Sequence, residues 1–126
     1  GPLGQIFFRC HHPFLRQFIG TVMQKLFPEP KVRIDAPAYV ELALRRTAAG
    51  RMSLQLFNRA NLPIPDRYNF IDAIPATGPI KIEMSLPEKP SQVMWQPEGR
   101  SLTWSWRNGK LETTVPSLQV HGVVVF

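Results

Sequence analysis

Cysteine is almost missing from this sequence. Cys10 stands alone among 126 residues, so no disulfide can form within the chain. One thiol suits a reducing or an oxidising compartment equally, which leaves localisation open between cytoplasmic and secreted. Long apolar runs are missing too: none approaches the roughly 20 residues a membrane-spanning helix needs. No membrane partner is expected. There is no glycine-rich phosphate loop, no G-x-S-x-G elbow and no recognisable Cys-His nucleophile signature. Basic runs are absent as well. Lysine and arginine exceed the acids by six charges, yet they are scattered singly apart from Arg45-Arg46. That spacing describes a solvated surface, and no nucleic-acid partner is expected.

Two sparse residue classes deserve the same test. Cys10-His11-His12 has the right chemistry for a metal, but the only other histidine is His121. Consecutive side chains do not converge easily on one ion, and zinc needs four convergent ligands. No metal and no cofactor are expected, and His12 is assigned to opening a helix. The nine acids, Glu29 to Glu112, fall mostly on outward strand positions or in turns. A glycosidase needs two of them facing across a cleft, and nothing in the pattern pairs any two. The chain is therefore expected to be non-catalytic.

What is present is a globular composition, 44% hydrophobic, cut into short pieces by 13 prolines. Gly1-Pro2-Leu3-Gly4 matches the remnant of protease removal of a purification tag and is set apart from the fold. A single domain is expected over 5–126. It opens with a short strand over Gln5–Arg9 and continues with a helix over about 13–27. There Phe14, Leu15, Phe18, Ile19, Val22, Met23, Leu26 and Phe27 form one wide apolar stripe. Proline is tolerated in the helix's first turn, and Pro28 and Pro30 end it. The stripe is expected either to cover a face of the domain or to meet a neighbouring one.

From about residue 31 the period changes to two. Apolar residues alternate with polar ones through Val32–Asp35, Val40–Arg45, Met52–Leu56, Ile80–Leu86 and Leu111–Val115. Thr47-Ala48-Ala49-Gly50 and Arg107-Asn108-Gly109 mark turns. Gln92–Gln96 reads as a short strand. Leu102, Trp104 and Trp106 share one face of another, opposite Ser101, Thr103 and Ser105. Leu118–Phe126 is apolar on both sides near its end, as a central strand would be. The pattern predicts a mainly β fold, an antiparallel immunoglobulin-like or jelly-roll-type β-sandwich of about eight strands with one N-terminal amphipathic helix. The connection from Asn58 to Pro79 is long, polar and free of strand pattern, which is typical of a functional loop.

Aromatic residues carry the functional signal. All three tryptophans, Trp95, Trp104 and Trp106, fall close together. Sugar rings present flat C–H faces to aromatic platforms, flanked by hydrogen-bonding side chains. The candidate carbohydrate site therefore comprises Trp95, Tyr68, Trp104 and Trp106 for stacking, with Arg67, Asn69, Asn58 and Gln96 for the hydroxyls. Core placement is the competing expectation for Trp104 and Trp106, which share a face with Leu102.

The order of pieces also resembles a family. Phe7-Phe8-Arg9 is followed by His11 to Arg16 and the helix, then Pro28-Glu29-Pro30. Ala36-Pro37-x-x-Val40-Glu41, Gly50-Arg51-Met52 and Leu54-Gln55-Leu56-Phe57-Asn58 come next. Ile74-Pro75-x-x-Gly78-Pro79 and Val115-Pro116-x-Leu118-x-Val120-His121-x-Val123-Val124-Val125 close the series. This resembles the C-terminal β-sandwich of large bacterial glycoside-hydrolase-like proteins. The resemblance implies an accessory domain, with the catalytic domain of the parent chain as one partner and a polysaccharide or oligosaccharide as another. It transfers no catalytic residue. Two functions follow as expectations: a carbohydrate-binding module, or a structural or oligomerisation domain that stabilises its parent.

Overall fold

The computed structural model describes residues 4–6, 12–48, 50–60 and 73–126. The chain divides into two compact units, Gly1–Lys31 and Val32–Phe126, and the expected span 5–126 covers both.

In the first unit, residues 4–6 are helical, so Gln5 and Ile6 do not begin the expected strand; Phe7 to Arg9 lie outside the described residues. Helix α1 spans Pro13–Leu26. His12 caps it as expected: its backbone is extended, and its Nδ1 accepts a hydrogen bond from the Phe14 amide at 3.3 Å. Pro13 fits the first turn because its missing N–H has no intrahelical partner there. The helix ends where the Phe27 amide reaches the Met23 carbonyl ahead of Pro28. No residue of α1 is buried, and Phe14 is 75% exposed.

The second unit is a β-sandwich with nine strands among the described residues. They are β1 (Val32–Asp35), β2 (Val40–Arg46), β3 (Met52–Asn58), β4 (Ile80–Ser85), β5 (Met94–Gln96), β6 (Arg100–Ser101), β7 (Trp104–Arg107), β8 (Lys110–Val115) and β9 (His121–Val125). A four-stranded sheet runs β1-β4-β8-β7 and a five-stranded sheet runs β2-β3-β9-β5-β6, with every pairing antiparallel. The apolar positions of the two-residue period point inward. Ile80, Ile82 and Met84 of β4 and Leu111 and Val115 of β8 meet Leu54 and Leu56 of β3 and Val124 of β9. Val93, Leu102 and Leu118, from the connections, complete the core. The apolar terminal stretch is indeed central, with β9 between β3 and β5.

One strand differs from expectation. Leu102 to Trp106 is not a single strand, because the chain changes sheets there. β6 belongs to the five-stranded sheet and β7 to the four-stranded one. Between them the Leu102 amide bonds to the Val93 carbonyl, and the Thr103 carbonyl accepts from the Thr113 hydroxyl at 2.9 Å. Alternation alone does not reveal a crossover, since Leu102 stays buried on either side of it.

Candidate functional site

Register places the candidate side chains. Trp95 of β5 is directly opposite Val124, and Gly122 lies two residues along β9 on the same face. A Cβ at Gly122 would collide with the six-membered ring of Trp95, so the indole occupies the room that glycine leaves. Trp95 is 1% exposed and sits in the core. It cannot stack on a sugar, which corrects its place in the candidate site. Trp104 and Trp106 pack against the core but are less deeply buried. They pair with Thr113 and Leu111, whose side chains face the core, but β7 is a sheet edge and both indoles stay half-buried. The Lys89 ammonium lies 5.8 Å from the Trp104 ring centre. The indole N–H groups of Trp95 and Trp106 are buried and have no hydrogen-bond partner among the described residues.

Asn58 is also a structural residue. It is 4% exposed, and its Nδ2 donates to the carbonyls of Pro75 (2.8 Å), Gln119 (2.9 Å) and Leu118 (3.3 Å). Its Oδ1 accepts from the Ala60 amide at 3.1 Å. With both ends of the amide occupied, Asn58 fastens the two ends of the long connection to the strand-β9 approach and has nothing left for a ligand. Gln119 helps by donating from Nε2 to the Ile74 carbonyl at 2.7 Å. Gln96 is half-buried at the end of β5. Arg67, Tyr68 and Asn69 lie outside the described residues, as do Cys10 and His11.

The concavity sits elsewhere, over the outer face of the four-stranded sheet. It is an open groove of about 910 Å³. Register builds its floor in rows. Arg33, Glu83, Glu112 and Ser105 stand side by side on β1, β4, β8 and β7. Asp35, Lys81 and Thr114 form the next row. Arg100, Ser101 and Thr103 add a wall from the crossover. The outward positions of this sheet carry no aromatic residue, but Trp104, on the edge strand β7, still lines the groove. Lys110 binds Glu83 at 3.2 Å. The side chains of Asp35, Lys81 and Glu112 make no hydrogen bond or ion pair among the described residues. The sequence showed these residues as outward-facing; only strand order and register bring them into one groove.

The outer face of the five-stranded sheet has a different character. Phe57 stacks on His121 with ring centres 4.5 Å apart, and Ala43, Met94, Val123 and Val125 share that face half-buried.

No family model and no curated protein matches this chain. Among solved structures it is similar to α-L-fucosidase isoenzyme 2 from Paenibacillus thiaminolyticus, at 19% identity with a TM-score of 0.83 over 98% of this chain. It is also similar to a cycloisomaltooligosaccharide glucanotransferase from a Paenibacillus species, solved with cycloisomaltoheptaose, at 18% identity with a TM-score of 0.55 over 84% of this chain. The chain spans 19% of the length of each. At these identities the likeness establishes the fold: a β-sandwich of a kind that forms a small part of two much larger enzymes.

Proposed function

We propose that this chain is a non-catalytic, carbohydrate-binding accessory module of a larger glycoside-hydrolase-like protein, with the parent's catalytic domain as its second partner. The observation that carries the reading is the groove, a concave face lined by Trp104 and by charged and hydroxyl side chains, among them Asp35, Lys81 and Glu112. The two larger enzymes with this sandwich act on sugars by name, which is the context the reading needs. Stacking, where it contributes, falls to the half-buried edge indoles Trp104 and Trp106, with Gln96 and the loop residues Arg67, Tyr68 and Asn69 as proposed hydrogen-bonding and stacking partners.

Affinity electrophoresis of the whole chain in gels containing neutral and acidic polysaccharides tests the proposal, followed by calorimetry on any that retard it. Retardation by at least one polysaccharide is expected; migration unchanged in all of them sinks the reading.

A second reading is favoured by the five-stranded sheet. Its outer face carries Phe57, Met94, Val123 and Val125 half-buried, and Trp95 is spent on the core. A structural module that docks through that face, without binding glycan, would use it. Such a module would raise the unfolding temperature of its parent protein and migrate unretarded in every gel.

A further inference from the structure

Helix α1 is accounted for by neither the groove nor the core. Its 14 residues would be marginal as an isolated helix in water, where helices of this length draw most of their stability from packing an apolar face. Its interior carries Ile19, Gly20, Thr21 and Val22, a run of modest helix formers. Yet none of its residues is buried. We propose that α1 is a docking element, and that its apolar stripe is covered by an apolar, acid-rimmed face on the neighbouring domain of the parent protein. The inference rests on the reading of this chain as a module of a larger protein, and adds to it the surface through which the module attaches.

Phe14, Phe18, Val22, Met23, Leu26 and Phe27 are all exposed. Their spacing of three and four residues puts them along one side of the helix and its C-cap. A contiguous apolar surface of that kind marks an interaction site, whereas single exposed apolar residues do not.

The charges that border the stripe identify its occupant. Seven-residue spacing sets Arg16 in line with Met23 along one margin and Lys25 in line with Phe18 along the other. Helix α1 holds no acid, and the nearest in sequence, Glu29, lies past Pro28. A second copy of the helix would bring only cations to this rim, so the matching groups are carboxylates on a different surface. An anionic membrane is a poorer match. Helices that lie on membranes are rich in Lys and Arg along the polar face, and here that face is Gln17, Gly20, Thr21 and Gln24. The fucosidase match takes in 98% of this chain, and so α1 together with the sandwich, but only 19% of that enzyme. A helix and sandwich of this kind thus occur within a chain that has ample further surface to cover a stripe.

The experiment is hydrogen-exchange mass spectrometry over residues 13–27, on this chain alone and on the full-length protein that contains it. In the full-length protein the α1 amides should exchange slower by about tenfold or more. Phe18→Ala with Leu26→Ala removes apolar contact without lowering helix propensity, so the loss of protection expected there reports lost docking and not a broken helix. Arg16→Glu with Lys25→Glu leaves the stripe intact and reverses its rim, and protection should fall here too. Neither pair should change the unfolding temperature of this chain alone. Equal exchange in the two proteins overturns the inference. So does protection that survives the charge reversal. An unfolding temperature of the chain alone lowered by the alanine pair overturns it too, because the stripe would then cover its own module. Protection of the chain alone that arises with a dimer by light scattering, or with phosphatidylcholine–phosphatidylserine vesicles, assigns the stripe to a second copy or to lipid and overturns it as well. All of these leave the module reading standing. A full-length protein with no second folded domain removes both.

Discussion

Gly122→Ala isolates one contact on which the five-stranded sheet depends. The new methyl would enter the space held by the six-membered ring of Trp95, inside any real carbon–carbon contact. Neither side can give way cheaply. Trp95 is 1% exposed and walled in by the core, and β9 is held by β3 on one side and β5 on the other. Overpacking a core costs about 1–3 kcal/mol, and a rigid indole between central strands belongs at about 3 or above. For a unit the size of Val32–Phe126, each kcal/mol moves the midpoint by roughly 4–8 °C, so a fall of about 12–24 °C is expected. Thermal unfolding followed by far-ultraviolet circular dichroism measures it. The same substitution in a Trp95→Phe background, where the ring is smaller, should cost about 1 kcal/mol or less, giving a strong coupling between the two sites. A Gly122→Ala midpoint within about 3 °C of the parent, or equal losses in both backgrounds, would refute this packing.

Three further substitutions test separate parts of the fold. Asn58→Ala removes the donor shared by the Pro75, Leu118 and Gln119 carbonyls and should cost about 2–3 kcal/mol in urea unfolding, whereas a loss below about 0.5 would show that Asn58 does not fasten the connection. Asn108 and Gly109 both have positive φ (51° and 77°) in the turn between β7 and β8, so Gly109→Ala should cost about 1 kcal/mol through backbone strain alone, since a Cβ there meets only the Leu86 carbonyl at 3.6 Å. Asn108→Gly should be neutral within a few tenths of a kcal/mol by the same urea midpoints. The Arg59–Glu41 bridge is short at 2.7 Å, but its side chains are 41% and 55% exposed, so Glu41→Gln should cost less than about 0.5 kcal/mol, and a loss above 1 would contradict that.

Local chemistry was legible in the sequence wherever a residue's role depends on its near neighbours. The period-two stretches became β1 to β4 and β8, and His12 opens α1 as its type and position suggest. What depends on strand order was not legible. Alternation cannot distinguish an edge strand from a central one, nor mark where a strand changes sheets. The tryptophans were therefore only partly legible: Trp104 and Trp106 pack against the core, as the face they share with Leu102 suggests, yet stay half-buried at the β7 edge, while Trp95, offered as a stacking platform, is the fully buried one. One signal was available. Gly122 interrupts an apolar strand, and a glycine there marks the close approach of a large neighbour. The groove had no comparable signal, because Arg33, Lys81 and Glu112 come from three distant segments joined only by register.

The placement of the tryptophans decides which experiment separates stacking from hydrogen bonding, and it makes intrinsic fluorescence the sharpest probe. Trp95 should emit to the blue and resist acrylamide; the Trp104 and Trp106 indoles should emit further to the red and be quenched in part. Quenching plots should therefore curve downward, and the Trp104→Phe, Trp106→Phe double variant should leave a blue, nearly unquenched signal. A glycan lying on the β7 edge would shield the quenchable indoles and shift their emission. A glycan held in the groove would shield Trp104, which lines it, and leave Trp106, which does not, open to quencher. Calorimetric binding that protects Trp104 from quenching but not Trp106 is the outcome expected from the groove. Binding that protects both indoles alike, abolished in the double variant, would return the site to the β7 edge and refute the placement in the groove.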